Sequence, residues 1–337
     1  MSPIRVGVVG LGHLGRHHLR VYSELAEAKL VGGYDIDHTV ANERCGALGT
    51  KAFSSYEELL EEIDALNIVV PTVSHFDVAM RALKKGIHLL IEKPITRTIE
   101  EADTLIEEAK KQSCVLQVGH IERFNRAMRS VQHLPMKPLF IESNRLAPFN
   151  PRGTDVSVIH DLMIHDVDIV LSLVKSPIEQ IDAVGAGVVS QDEDIANARL
   201  LFENGCVANL TTSRIARKRM RKMRIFQHNT YIVLDFLERQ AELFRLVDAN
   251  SCEAETEDIC TDCGEVELGT KGKRILFERP VVEDEEPLKL ELRSFLNAVQ
   301  TGKRPIVSGE DGRRALEVAH QIIERVQEHS IRVHSNP

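Results

Sequence analysis

The chain has 337 residues, 43% hydrophobic and 28% charged, with 42 Lys and Arg against 51 Asp and Glu for a formal net charge of −9. That length is enough for two globular domains with separate cores, and the acidic balance argues against non-specific nucleic-acid binding. No apolar run approaches the roughly 18 residues that a membrane span needs. Met1-Ser2-Pro3-Ile4-Arg5 leads straight into a strand without a secretory pattern, so the expectation is a cytoplasmic protein with no nucleic-acid or membrane partner.

The first 120 residues alternate strand and helix patterns. Short aliphatic or β-branched runs at Arg5–Val9, Lys29–Tyr34, Ala65–Val70, His88–Ile91 and Val115–Val118 show little alternation, as strands buried on both faces do. Helical patterns occupy His13–Ala26, Ser54–Glu62, His75–Lys85 and Ile99–Gln112, with Gly86 where a helix C-terminal glycine belongs. This alternation predicts an α/β fold, a doubly wound parallel sheet of Rossmann type.

After Gly119 the pattern changes. A helix at Ala127–His133 and a strand at Leu139–Arg145 precede a long helical stretch, Asp155–Val174. Strand-like segments follow at Ile178–Val189, Ala196–Phe202, Val207–Ser213, Met223–His228, Tyr231–Asp235 and Ala241–Leu246, with no helices between them. That succession predicts a mostly antiparallel sheet in an α+β domain. Amphipathic helices at Pro287–Gln300 and Glu310–Gln327, separated by Gly302 and Pro305, close the chain. The expected division is a Rossmann domain over 1–121 and a substrate-binding and oligomerisation domain over 122–337, the C-terminal helices being free to pack back on the first.

Gly10-Leu11-Gly12-His13-Leu14-Gly15 follows the first strand, and Asp35 closes the second, twenty residues after Gly15. Glycines in this order allow a tight turn and let a pyrophosphate approach the backbone. The following helix N-terminus favours the phosphates, and the strand-end acid meets the adenosine ribose hydroxyls. Gly10, Gly12, His13, Leu14, Gly15 and Asp35 are therefore candidate cofactor residues. The cofactor expected is NAD rather than NADP, because a carboxylate repels a 2′-phosphate and no arginine follows Asp35 closely.

The six cysteines do not suggest a disulfide framework in a chain this long. Cys45, Cys114 and Cys206 read as small core residues. Cys260-Thr261-Asp262-Cys263, with Cys252 upstream, offers one pair where a structural zinc needs four ligands, so it reads as an acidic surface loop and no metal is expected. Two charge blocks stand out: Arg214–Arg224 carries seven Lys or Arg and no acid, and Asp248–Glu267 eight acids and no base. The basic block is either a clamp for a phosphorylated substrate, with Arg214 as the member pointing into a cleft, or a solvated hairpin pairing with nearby acids.

Two clusters carry candidate chemistry. Glu92-Lys93-Pro94 ends the fourth predicted strand, where catalytic groups of open α/β sheets gather; proline fixes the chain beyond, and a cis bond is compatible there. Asp161, His165 and Asp168 sit at spacings of four and three, one face of an α-helix, among Leu162, Ile164, Val167 and Ile169. Polar groups on a buried face need partners and are often functional, although a hydrogen-bonded core histidine gives the same pattern.

Taken together, the glycine turn, Pro71-Thr72 with His75, Glu92-Lys93-Pro94 and the Asp161-x3-His165-x2-Asp168 helix resemble the Gfo/Idh/MocA oxidoreductases over most of the chain. The resemblance implies a Rossmann domain followed by a large open-faced, mostly antiparallel sheet, reversible hydride transfer between a nicotinamide and a carbinol carbon, and homo-oligomerisation through that sheet to a dimer or tetramer. By motif position it implies Lys93, Asp161 and His165 as the catalytic group. It adds Pro71, Thr72, His75, Glu92 and Lys93 to the cofactor residues. Met163 departs from the glycine that many members carry two residues after the aspartate, which bears on pocket shape more than on chemistry.

Val118-Gly-His-Ile-Glu-Arg-Phe-Asn125 and Ser213-Arg-Ile-Ala-Arg-Lys are similar to a sugar-nucleotide-oxidising subgroup, implying C3 of UDP-N-acetylglucosamine as the site of oxidation and a 3-keto sugar that an aminotransferase takes on toward lipid A-type glycolipids. Lys93, Arg123, Asn125, Asp161, His165 and Arg214 are the expected substrate contacts. Two alternatives stand beside this reading: a dehydrogenase of a free sugar, inositol or related polyol, and a non-catalytic dinucleotide-binding sensor or scaffold.

Overall fold

In a computed structural model, residues 2–150, 157–190, 192–248, 264–266 and 273–335 are described. The chain divides into two compact units, Met1–Phe124 with Glu285–Glu317, and Asn125–Asp284 with Val318–Pro337. The cysteines at 252, 260 and 263 lie outside the described residues, as does most of the acidic block.

The first unit runs β1 (Ile4–Val9), α1 (Gly15–Glu24), β2 (Ala28–Tyr34), α2 (His38–Gly46), β3 (Lys51–Ala52), α3 (Tyr56–Glu62), β4 (Ala65–Ile68), α4 (His75–Leu83), β5 (His88–Glu92), α5 (Ile99–Lys111) and β6 (Leu116–Gly119). The strands form one sheet in the order β3-β2-β1-β4-β5-β6, every neighbouring pair parallel. β4 and the centre of β5 are wholly buried, which explains their unbroken apolar runs: helices cover both faces. Leu59, Ala79, Leu83 and Leu105 pack on one side. Leu19 and Tyr22 pack on the other, together with Leu292 and Phe295 of the returning helix Pro287–Thr301. The strand order reverses between β1 and β4, which places a crevice at the carboxyl ends of those strands.

Two elements of this unit were not predicted. α2 has almost no amphipathic stripe, so periodicity misses it, but Asp37 accepts hydrogen bonds from the Thr39 and Val40 amides and starts the helix. β3 is two residues long and sits at the sheet edge.

The second unit holds α6 (Arg126–Arg129), β7 (Phe140–Leu146), α7 (Ile164–Leu173), β8 (Ile178–Ala186), β9 (Ile195–Phe202), β10 (Val207–Ser213), β11 (Met220–Gln227), β12 (Thr230–Asp235), β13 (Gln240–Asp248), β14 (Gly264–Val266) and β15 (Lys273–Glu278). They pair in the order β14-β15-β13-β12-β11-β7-β10-β9-β8. Only β7 and β10 run parallel; the other pairs are antiparallel. Gly264–Val266 of the acidic block form β14, while the stretch around Cys252, Cys260 and Cys263 that reads as a surface loop lies outside the described residues. α8 (Pro287–Thr301) and α9 (Gly309–Ser335) end the chain, and α8 belongs to the first unit.

Burial alternates residue by residue along β7, β9 and β10, so this sheet has one covered face and one partly open face. On the open face Phe140, Phe226, Tyr231, Phe244 and Phe277 form a cross-strand row over five strands, with ring centroids 5.8, 4.7, 5.4 and 5.0 Å apart in turn. On the covered face the Arg145 guanidinium reaches Asp166 of α7: Nε lies 3.0 Å from Oδ2 and Nη2 2.8 Å from Oδ1. Both residues are 2% exposed. A forked arginine–carboxylate pair is geometrically demanding, so it fixes both the height and the rotation of α7 on the sheet.

Breaking such a pair leaves a buried charge without its counter-ion. We expect Asp166→Ala to destabilise the second unit by about 3–5 kcal/mol, read as a shift of its urea unfolding midpoint; a midpoint matching the parent protein would show that α7 is held by apolar packing alone.

Candidate active site

The glycine turn between β1 and α1 is as tight as its sequence requires. Gly10 has φ +83°, and a Cβ there would meet the Val69 carbonyl oxygen at 2.6 Å; a Cβ on Gly15 would lie 1.8 Å from the Gly10 carbonyl oxygen. A Cβ on Gly12 meets nothing within 4 Å, so that glycine borders open space. Gly12, His13 and Leu14 are exposed at the mouth of α1 while Leu11 and Gly15 are buried. A closed turn with an open rim at a helix N-terminus is a cradle for a pyrophosphate. The donor set therefore fits a dinucleotide.

Asp35, at the tip of β2, leans back onto this turn. Its Oδ2 accepts from the Leu11 amide at 2.6 Å and its Oδ1 from the Asp37 amide at 2.9 Å. Each carboxylate oxygen keeps a second acceptor site, so Asp35 can brace the turn and still receive ribose hydroxyls.

At the end of β5, Glu92 and Lys93 are half-buried and the Lys93–Pro94 bond is cis. Burial alone would raise the Glu92 carboxyl. The hydrogen bond from His18, the Lys93 ammonium and the Lys93 backbone amide oppose it, and Glu92 stays below its ordinary value. Pro71 is exposed and Thr72 half-buried in the short turn that follows β4.

His75 behaves differently from a surface-presented cofactor ligand. It is 1% exposed, with Nε2 2.9 Å from the Val70 carbonyl oxygen and Nδ1 2.9 Å from that of Pro94. The ring thus ties the loop after β4 to the loop after β5, and any service to a cofactor runs through those loops.

In the second unit, Asp161 does not sit on a regular α-helix as its spacing predicted. Residues Ile159–Met163 form a π turn that joins α7 at Ile164; such wide turns recur at functional sites. Asp161 and His165 remain half-buried, whereas Asp168 is 1% exposed and lies in the core.

Asp161 opens into a cavity of about 240 Å³ lined also by Asn150, Leu162, Arg214, Arg219 and Arg221. The basic block divides across the sheet. Arg221 stands opposite Arg145 in register on the covered face, while Lys222 pairs with Asp235 at 3.0 Å and Arg224 with Glu142 at 2.8 Å. Lys222 and Arg224 thus pair with nearby acids as a solvated hairpin would, while Arg214, Arg219 and Arg221 line the cavity. Period-two alternation along β11 was the signal that separates Arg221 from its neighbours.

Of the remaining expected substrate contacts, Arg123 is half-buried and Arg214 is 5% exposed. Asn125 is 5% exposed, its Oδ1 accepts from the Ala127 amide at 3.1 Å, and its Nδ2 donates to the Phe236 carbonyl at 3.1 Å. It caps α6 and binds it to the turn after β12, because a short helix leaves its first amides without partners. Among the described residues no cluster of side chains is arranged to hold a metal ion, and no helix is long and apolar enough to cross a membrane.

Fold and turn together define an oxidoreductase built on an NAD-binding Rossmann domain. Residues 4–120 match the model of an oxidoreductase family with an NAD-binding Rossmann fold, and residues 139–233 match the GFO/IDH/MocA C-terminal domain. The chain is 38% identical over 330 residues to UDP-N-acetylglucosamine 3-dehydrogenase of Acidithiobacillus ferrooxidans, covering 96% of this chain and 97% of that protein. A structure of that enzyme superposes with a TM-score of 0.86 at 36% identity, covering 97% and 99% of the two chains. Myo-inositol 2-dehydrogenase of Thermotoga maritima is 27% identical, over 93% of each chain. The chain belongs to the Gfo/Idh/MocA oxidoreductase family, and it is an NAD-binding dehydrogenase that acts on CH–OH groups.

Proposed function

We propose that this protein oxidises a secondary hydroxyl of a sugar nucleotide with NAD⁺, the substrate being UDP-N-acetylglucosamine and the carbon C3. The observation that carries this reading is the cavity in which Asp161 shares its walls with Arg214, Arg219 and Arg221. Guanidinium groups match phosphate oxygens two bonds at a time, and a neutral polyol has no use for so much positive charge. The similarity to the UDP-N-acetylglucosamine enzyme over nearly the whole chain points the same way. NAD is preferred to NADP because Asp35 at the ribose end would repel a 2′-phosphate.

Bound NAD⁺ supplies the acceptor for the hydride that leaves the carbinol carbon. In this reading His165 takes the hydroxyl proton, since an imidazole exchanges protons near neutral pH. The Lys93 ammonium donates to the same oxygen and stabilises the charge that develops there. Asp161, at the π turn preceding His165, orients the imidazole. Lys93→Ala and His165→Ala should each lower kcat by at least ~100-fold with the NADH dissociation constant kept; near-parental kcat in either variant removes that residue from the chemistry.

The substrate assignment is tested by NADH formation with UDP-N-acetylglucosamine, coupled to an aminotransferase that draws off the 3-keto product. Arg221→Ala should raise KM for the nucleotide sugar by roughly 10- to 100-fold, the worth of a charge-assisted bond. A second reading, oxidation of inositol or a related polyol, is favoured by the 26% identity to scyllo-inositol 2-dehydrogenase of Bacillus subtilis. Faster turnover of a free polyol, insensitive to Arg221→Ala, would establish it instead.

The open sheet face supports self-association to a dimer or tetramer. Phe226 is 38% exposed in the middle of an aromatic row, an arrangement that marks a contact surface when it is contiguous. Sedimentation should give a multiple of the 37.8 kDa chain mass, and Phe226→Glu should shift it to the monomer. A parent protein that sediments as a monomer would refute pairing through this face.

A further inference from the structure

A buried chain of polar side chains runs through the first unit behind Glu92, and no part of the reaction described above uses it. The Tyr22 hydroxyl donates to Asn67 Oδ1 at 3.0 Å, Asn67 Nδ2 lies 2.7 Å from His18 Nδ1, and His18 Nε2 lies 3.1 Å from Glu92 Oε1. Tyr22 is 1%, Asn67 0% and His18 2% exposed. Three polar groups held in the core in one line are costly unless each is satisfied, and these are satisfied by one another and by Glu92 at the rim.

The direction of the chain follows from its two ends. Burial pushes the Tyr22 phenol well up and the Glu291 charge adds to it, so the hydroxyl keeps its proton and can donate. Glu92 at the other end is held in its ionised form and can only accept. Protons therefore point from Tyr22 toward Glu92, which places the His18 proton on Nε2 and leaves Nδ1 to receive the Asn67 amide.

Topology says what Glu92 faces. In a doubly wound sheet the dinucleotide lies across the switch point with one nucleoside on each half. Asp35 ends β2, one strand out from β1; Glu92 ends β5, one strand out from β4. The two carboxylates are pseudo-symmetric, so Glu92 stands on the nicotinamide half as Asp35 stands on the adenosine half. Its Oε2 lies over Gly119, its register partner on β6, where a Cβ would come within 3.0 Å; a side chain at 119 would displace it. An anion fixed there attracts the oxidised nicotinamide, which carries a positive charge, and has no such pull on the neutral reduced ring.

We propose that His18, oriented by Asn67 and Tyr22, is a positioning residue that holds the Glu92 carboxylate toward the nicotinamide half of the site and so biases the protein toward NAD⁺ over NADH. This rests on the dinucleotide reading of the first unit and needs no particular sugar. α1 thereby acts on both halves of the cofactor: its N-terminus faces the pyrophosphate, and its buried side steadies the carboxylate on the nicotinamide side.

The test is binding, measured on the full-length protein by calorimetry for NAD⁺ and by fluorescence for NADH. His18→Leu removes the donor, while His18→Gln keeps an amide N–H where Nε2 was. His18→Leu should weaken NAD⁺ by roughly tenfold or more and NADH by much less, since a bond to a charged group is at stake; His18→Gln should stay within about threefold of the parent. Equal weakening of both cofactors, no weakening of either, or a loss in His18→Gln as large as in His18→Leu would overturn the proposal.

The folded parent protein provides a second measurement independent of any variant that fails to fold. Ring-¹⁵N spectra at pH 8 should show a buried histidine protonated on Nε2, and a signal protonated on Nδ1 would equally end it. Neither measurement uses a sugar, so absence of turnover with UDP-N-acetylglucosamine would count against the function above and leave these constants readable.

Discussion

The cavity of the second unit depends on one buried ion pair. α7 carries His165 and continues from the π turn that bears Asp161, while β11 beside it carries Arg221. What sets that helix against the sheet is the fork of Arg145 on Asp166, on a face that also buries Ile141, Met223 and Ile225. Apolar packing brings the layers together without direction; the fork supplies direction, since only one rotation of α7 satisfies two parallel hydrogen bonds at once. Stability alone does not account for it, because an apolar pair of the same volume would serve as well or better. Fixing the angle at which Asp161 meets the arginines is the reason this architecture supports.

The first unit uses a different constraint to the same end. Its sheet is parallel and covered on both sides, so almost every strand position is apolar and chemistry is confined to the strand ends. Among the polar residues buried there, His18, Asn67, Tyr22 and His75 are satisfied by each other or by backbone carbonyls. The bonds of His75 and the last link of the His18 chain reach the ends of strands. His75 joins the loops after β4 and β5, and His18 reaches the last residue of β5. These buried groups support the rim, where a nucleotide can be held.

The second sheet shows the opposite economy. Its covered face is built for α7, and its open face carries aromatic rings in register across five strands with ion pairs such as Arg224–Glu142 beside them. A strand alternates faces residue by residue, so neighbouring basic residues of β11 serve different purposes. Arg221 lines the cavity and Arg224 lies on the open face. A run of like charge in a sequence is therefore not one site until the period of the element is known.

Local chemistry made much of this protein legible from its residues. The glycine turn reads correctly because steric limits act within six residues, and the βα alternation reads correctly because burial on both faces leaves an apolar signature. The cluster around Asp161 and His165 was visible as polar residues in an apolar helix. Tertiary structure decided the rest. Asn125, which caps α6 through the Ala127 amide, is held as well by the Phe236 carbonyl 111 residues away. Asp166 found Arg145 across 21 residues, and His18 found Glu92 across the sheet. In each case the side chain's partner lies outside any local window, and a sequence carries residue types and spacings but not the distances that folding creates between them.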